Sequence, residues 1–253
     1  MICRTIDEVI IQLNTIIEDC KVRQDKLGYF ALLYRKVTLR VKFGISQKEF
    51  ELNERMEKLD VMFANRYFEA YDAYRDNLPC SNSWKVAFDA ANEKGHIILQ
   101  HLLLGINAHI NLDLGLAALD TCGEHELITI QKDFNDINAV LSELVEEVKH
   151  NMGSVSPVFK WLMPLAPKEE EIMINFSIQT ARDGAWQFAN ELKGNGRDAA
   201  CIQFRDSIIS KLANGLRNPW TRLKWITGII AFFEWRSVAD NLTIMEEKLE
   251  KVV

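Results

Sequence analysis

Apolar residues recur along this chain at intervals of three and four, the period of helices that bury one face. In "GYFALLYRKVTLRVKFG", Phe30, Leu33, Tyr34, Val37 and Val41 follow that spacing, and Gly44 is placed to end the helix. Ser46 and Glu49 have the spacing of a capping box that opens the next one. That helix carries Leu52, Met56, Leu59, Phe63, Tyr67, Ala70 and Tyr74 on one side. Further helical segments begin at Trp84 after the loop "NLPCSNS", run from Ile130 to Val148, open at "PKEEE", surround Ile202 to Leu212, and follow "LRNP". The first residues, "MICRTIDEVIIQLNTIIEDC", read as another amphipathic helix. No segment of useful length alternates with period two between turn signals. The pattern predicts an all-α fold, a single bundle-like domain over residues 1–253 with about eight or nine helices. The connection at 150–167, with Gly153, Pro157, Pro164 and Pro167, marks the one place where it could divide.

One segment breaks the pattern of apolar face and polar face. "QHLLLGINAHINLDLG", residues 100–115, is the most hydrophobic helix of the chain, yet it holds Gln100, His101, Asn107, His109, Asn111 and Asp113. Wound as one α-helix over residues 96–119, it places Gln100, Asn107, Asn111 and Ala118 on one stripe. His101, Gly105, His109 and Asp113 fall on a second. Both stripes run among leucines, so neither is a solvent face. A buried amide or imidazole without a partner costs about 1–3 kcal/mol, so these groups require partners on other helices, water or a ligand. Gly105 and Gly115 each cost about 1 kcal/mol relative to Ala inside a helix, which makes sense where another backbone or a ligand approaches closely.

Composition narrows the function classes. The formal charge of −6 disfavours non-specific nucleic-acid binding. Five scattered cysteines with no CxxC suggest reduced thiols and a cytoplasmic protein. The apolar run "WITGIIAFF" is about half a membrane span, so no span is expected. The surrounding "NPWTRLKWITGIIAFFEWRSVADN" reads as a core helix with charges snorkelling at its ends. The sharper reading of the same helix is a homodimer face or a lipid-facing patch.

At its polar helix the chain resembles a family of uncharacterised all-helical bacterial proteins marked by a QHLLLGxNAHINLDLG signature. The likeness continues through "MEKLDVMFANRYFEA", "WKVAF", "DFNDIN" and "ARDGAW". It implies that Asp60, Tyr67, Trp84, Gln100, His101, Asn107, His109, Asn111, Asp113, Asp133, Asn138 and Trp186 are marked positions, and it brings no reaction with it.

Two functional readings follow. In the first, the chain is a small enzyme, a hydrolase or a cyclase/isomerase, acting on a small or hydrophobic ligand in a pocket between helices. His109 and Asp113, with His101 on the same stripe, supply acid–base chemistry. Gln100, Asn107 and Asn111 orient the substrate, and Asp60, Tyr67, Trp84, Asp133, Asn138 and Trp186 complete the site. A divalent metal on His109 and Asp113 is a version of this reading, but two ligands are half a site. His101 lies about 12 Å along the axis from His109 by helical rise, so the rest would come from Asp60, Asp133 or His150. In the second reading the polar groups form an interhelical hydrogen-bond network in a non-catalytic scaffold, and Asp60 is a boundary acid paired with an Arg or Lys. The spacing Asn135, Ala139, Glu143 echoes a magnesium motif of helical terpene cyclases. Ala139 stands at the hydroxyl ligand's place and no Asp-rich partner exists, so that chemistry is set aside.

Overall fold

The described residues hold ten α-helices and no strand. The computed structural model describes residues 2–137 and 178–249, except 124, 126, 220 and 235. Helix α1 (Ile6–Arg23) starts at Thr5, whose hydroxyl accepts from the Glu8 N–H at 3.3 Å. Acids open it and Lys21 and Arg23 close it, each sign facing the helix end that favours it. Its buried face, Ile6, Val9, Leu13, Ile16, Ile17 and Cys20, packs along α2 (Gly28–Gln47). Gly28 lets the two meet: a Cβ there would lie 2.8 Å from that of Cys20.

Gly44 does not end α2. The helix runs on to Gln47 and closes at Lys48, which is left-handed at φ 59°. Gly44 is small for a packing reason, since a Cβ would press within 2.8 Å of the Phe50 ring. Ser46 and Glu49 form no capping box. The Ser46 hydroxyl turns back to the Phe43 carbonyl, and Glu49 pairs with Arg40 at 2.8 Å. Helix α3 (Asn53–Arg75) follows, then α4 (Asn82–Ala91).

The polar segment is the spine of the fold, but it is not one α-helix. Helix α5 (Ile98–Ala108) gives way to a π-turn over His109–Asp113, after which α6 (Leu114–Cys122) continues. The splitting of this expected single helix, and of the segment after "LRNP" into two helices, raises the count above eight or nine. The run Ile98–Cys122 is long and apolar enough to cross a membrane, yet its apolar window is wholly enclosed by protein, the setting of a core helix. Around it pack α2, α3, α4, α7 (Ile178–Gly194) and α8 (Ala199–Arg217). Gly115 lets α7 come close: a Cβ there would sit 2.8 Å from the Ala185 carbonyl. Buried Asp206 of α8 accepts the N–H groups of Asn82 and Ser83 at 2.7 and 2.9 Å, fixing the start of α4.

Helices α9 (Thr221–Phe233) and α10 (Val238–Leu249) close the described chain. Glu246 ties α10 back through Lys21 and Arg35 at 2.8 and 2.7 Å. The core-helix expectation holds for one side of α9 only. Leu223, Thr227 and Ile230 are buried, whereas Trp225 and Phe232 are 72% and 78% exposed. The 150–167 connection, "PKEEE" and most of the Ile130–Val148 segment lie outside the described residues.

Candidate functional site

The two polar stripes have separate fates. The amide stripe docks α8. Gln100 donates from Nε2 to the Leu216 carbonyl at 2.9 Å and accepts the Ile97 N–H on Oε1 at 3.1 Å. Asn107 donates to the Ile209 carbonyl at 3.2 Å, and its oxygen accepts from Asn111 at 3.1 Å. Arg205 of α8 returns a bond to the Asn111 carbonyl at 3.2 Å. Every one of these bonds is satisfied within the protein, as a structural network would require.

The other stripe is different. His109 and Asp113 bound the π-turn, a feature that often marks functional positions in helices. His109 Nδ1 lies 3.0 Å from Asp113 Oδ2, and that same oxygen receives the Trp84 Nε1–H at 2.8 Å. An indole nitrogen only donates, so Oδ2 accepts there. Against a carboxylate, which only accepts, His109 carries its proton on Nδ1 and presents a lone pair on Nε2. On the other carboxylate oxygen, the Arg66 Nε stands at 3.9 Å, close enough for attraction but too far for a hydrogen bond.

Aromatic rings enclose the imidazole. Phe63 stacks on it at 3.5 Å between centroids and 5° between planes, and Tyr34 meets it edge-on at 4.6 Å. Phe30, Trp84 and Tyr67 complete the cage at 5.7, 5.8 and 6.2 Å. Phe30 reaches this place only because residue 105 is glycine; a Cβ there would overlap Cγ and Cδ2 of its ring. Burial holds the His109 ring below its ordinary pKa, with Asp113 pulling the other way, so the imidazole is neutral. Burial also keeps the Tyr34 and Tyr67 hydroxyls protonated. Among the described residues, neither hydroxyl, nor His109 Nε2, nor either oxygen of Asp60 has a hydrogen-bond partner. Asp60 is thus not the boundary acid expected in the scaffold reading. It is fully buried, and burial together with Glu57 pushes its carboxyl up to about 8.

Asp113 is also where the interior meets the outside. A cleft of about 430 Å³ between α3, α4, the π-turn and α8 has Asp113 and Trp84 at its base. Arg66, Glu69, Asn82, Gln203 and Asp206 supply its polar wall, and Ala70, Ala73, Pro79, Leu112, Leu116 and Ile202 its apolar one.

Among the described residues, the remaining expected site residues do not line the cleft. His101 is buried against Tyr29 and His96, at 5.9 and 6.0 Å between rings. Asp133 pairs with Arg55 at 2.6 Å near the start of α3. Arg55 stands about 16 Å along the axis from Arg66, its eleven intervening steps taken at the helical rise. Trp186 packs on Phe134 at 4.8 Å. Asn138, Ala139, Glu143 and His150 fall outside the described residues. Among the described residues no three His, Cys, Asp or Glu side chains converge as a metal site would need. Phe30, Tyr34, Phe63 and Arg66 were not expected at the site. Tyr34 alone carried a signal, a hydroxyl within the apolar stripe of α2, whereas Arg66 reads in sequence as a solvated charge.

A family model described as a family of unknown function (DUF5995) matches residues 6–219. The chain belongs to this family. The match covers α1 to α8, and so all of the cleft and the cage, and it ends before α9. No curated protein and no solved structure matches the chain.

Proposed function

We propose that this member of the family is an enzyme that moves a proton on a small molecule held in the α3–α4–α8 cleft. The observation that carries the reading is Asp113: a buried carboxylate at the base of a cleft, with one oxygen held by two N–H donors and the other turned towards Arg66. Such an oxygen can take a proton from a ligand as a general base and return it as an acid. Arg66, fixed in charge, can stabilise negative charge that develops on the ligand as the proton leaves.

His109 then works through Asp113. Its Nδ1–H fixes the carboxylate's orientation, and its stacked, neutral ring keeps that donor in place. Half of the cleft wall is apolar, which suits a ligand with a hydrocarbon portion. An isomerase or a cyclase working by proton transfer fits these groups better than a hydrolase with a covalent intermediate. The thiol in the cleft lining, Cys80, has its pKa raised by burial.

A second reading has its own observation. Gln100 and Asn107 spend their donors on α8 carbonyls, so the amide stripe acts in the scaffold rather than on a ligand.

The test is a thermal-shift screen of small carboxylic acids, ketones and alcohols against the wild type and Asp113→Asn. A compound that stabilises the wild type and not the variant, with both folded, is the expected result. Equal responses would remove Asp113 from the site and with it the proposal.

A further inference from the structure

A second space borders the cage and shares the Trp84 wall with the cleft. A cavity of about 20 Å³ sits between α2, α3, α4 and α5, lined among others by Lys26, Phe30, Tyr67, Trp84, His101 and Gly105. Two of its walls are buried residues with a polar atom that has no hydrogen-bond partner among the described residues, His101 Nε2 and the Tyr67 hydroxyl. Lys26, half-buried, brings an ammonium to the same lining and donates to the Glu93 carbonyl at 2.6 Å.

We infer that this cavity is a single-water site whose occupant joins His101 to Tyr67. Size and chemistry agree. About 10–15 Å³ suffices for one water, and a buried water needs two to four polar partners; this cavity meets the first requirement and offers three groups for the second. The roles are complementary. A neutral imidazole nitrogen accepts a hydrogen bond from the water, while the tyrosine hydroxyl donates to the water's oxygen. The purely apolar alternative would leave both atoms unsatisfied in the core. Tyr67 is shared with the His109 cage, so the water would hold the orientation of one cage wall.

The test is a high-resolution crystal structure of the full chain, native and xenon-pressurised, repeated on the Tyr67→Phe/His101→Leu double variant. In the wild type, the expected result is a solvent peak within hydrogen-bonding distance of His101 Nε2 and Tyr67 Oη, with no xenon. The double variant, which removes both partners, is expected to lose the peak and admit xenon. Xenon in the wild-type cavity, or a cavity with no density, would overturn the inference. In solution, Tyr67→Phe and His101→Leu should be coupled by about 5-fold in the folding equilibrium, as expected for one shared hydrogen-bonded bridge. Independent, additive effects of the two changes would count against it equally.

Discussion

Trp84 and Asp113 come from different helices, 29 residues apart, and meet through an Nε1–H···Oδ2 hydrogen bond of 2.8 Å inside the core. This bond connects the wall of the His109 cage to the base of the cleft, so the carboxylate is aimed before any ligand arrives. A hydrogen bond to a charged group contributes about 1.5–3 kcal/mol. Trp84→Phe keeps an aromatic ring and removes the donor, and it should lower stability by at least about 2 kcal/mol in urea denaturation. In an Asp113→Asn background the same change should cost distinctly less. Equal costs in both backgrounds would show that the loss comes from ring volume rather than from the bond.

The amide stripe should behave differently. Gln100→Leu removes a donor to the Leu216 carbonyl and an acceptor for the Ile97 N–H. Its expected cost is about 1–3 kcal/mol of stability. Any compound that binds the cleft should bind this variant with unchanged affinity once the measurement is made well below its melting point. A large loss of affinity would return Gln100 to the ligand's surroundings.

Gly105 gives a test of the cage that involves no polar group. Gly105→Ala would drive a methyl into the Phe30 ring, and overpacking of this kind costs about 1–3 kcal/mol. Against this stands a gain of about 1 kcal/mol in helix propensity. The net effect should be destabilising in the wild type and should reverse, or disappear, in a Phe30→Leu background. Calorimetric melting of the wild type and the three variants checks it.

Much of this was legible before the structure. The period-three-and-four pattern defines an all-α fold because the buried faces of helices such as α1 obey it closely. The His109–Asp113 pair was readable because four residues on a helical segment bring side chains together whether the turn is α or π. The division of labour between the stripes was not readable. Both stripes are embedded in leucine, and only the approach of α8 on one side and of α3 and α4 on the other distinguishes them. Gly44 misled because a helix-ending glycine and a glycine beneath a packed ring look the same in sequence. Asp60 misled for a related reason: an acid beside an apolar stripe usually reaches solvent, and here α3 carries it fully inside.

That buried acid sets the last prediction, a stability profile with an alkaline limb. The folded-state pKa of Asp60 is raised from 3.8 to about 8, so between those values the folded protein holds a proton that the unfolded chain has released. Its contribution to stability is complete below about 3.8 and is lost as pH rises towards 8. His101 has the opposite sign. Its pKa is lowered from 6.5 to about 3, so the unfolded chain binds the extra proton and stability falls as pH drops through that interval. His109 adds to this acid limb in the same direction. Between 3.8 and 6.5 the Asp60 and His101 slopes oppose each other; from 6.5 to 8 only that of Asp60 acts among these three. One proton changes stability by about 1.4 kcal/mol per pH unit, so the wild type should lose about 2 kcal/mol over that last interval. Asp60→Asn keeps the shape of the neutral acid and removes the titration, so its stability should stay level there and exceed that of the wild type at pH 8. Urea denaturation of both proteins at pH 6.5 and pH 8 decides the matter, and a parallel decline in the two would mean that Asp60 is ionised in the fold.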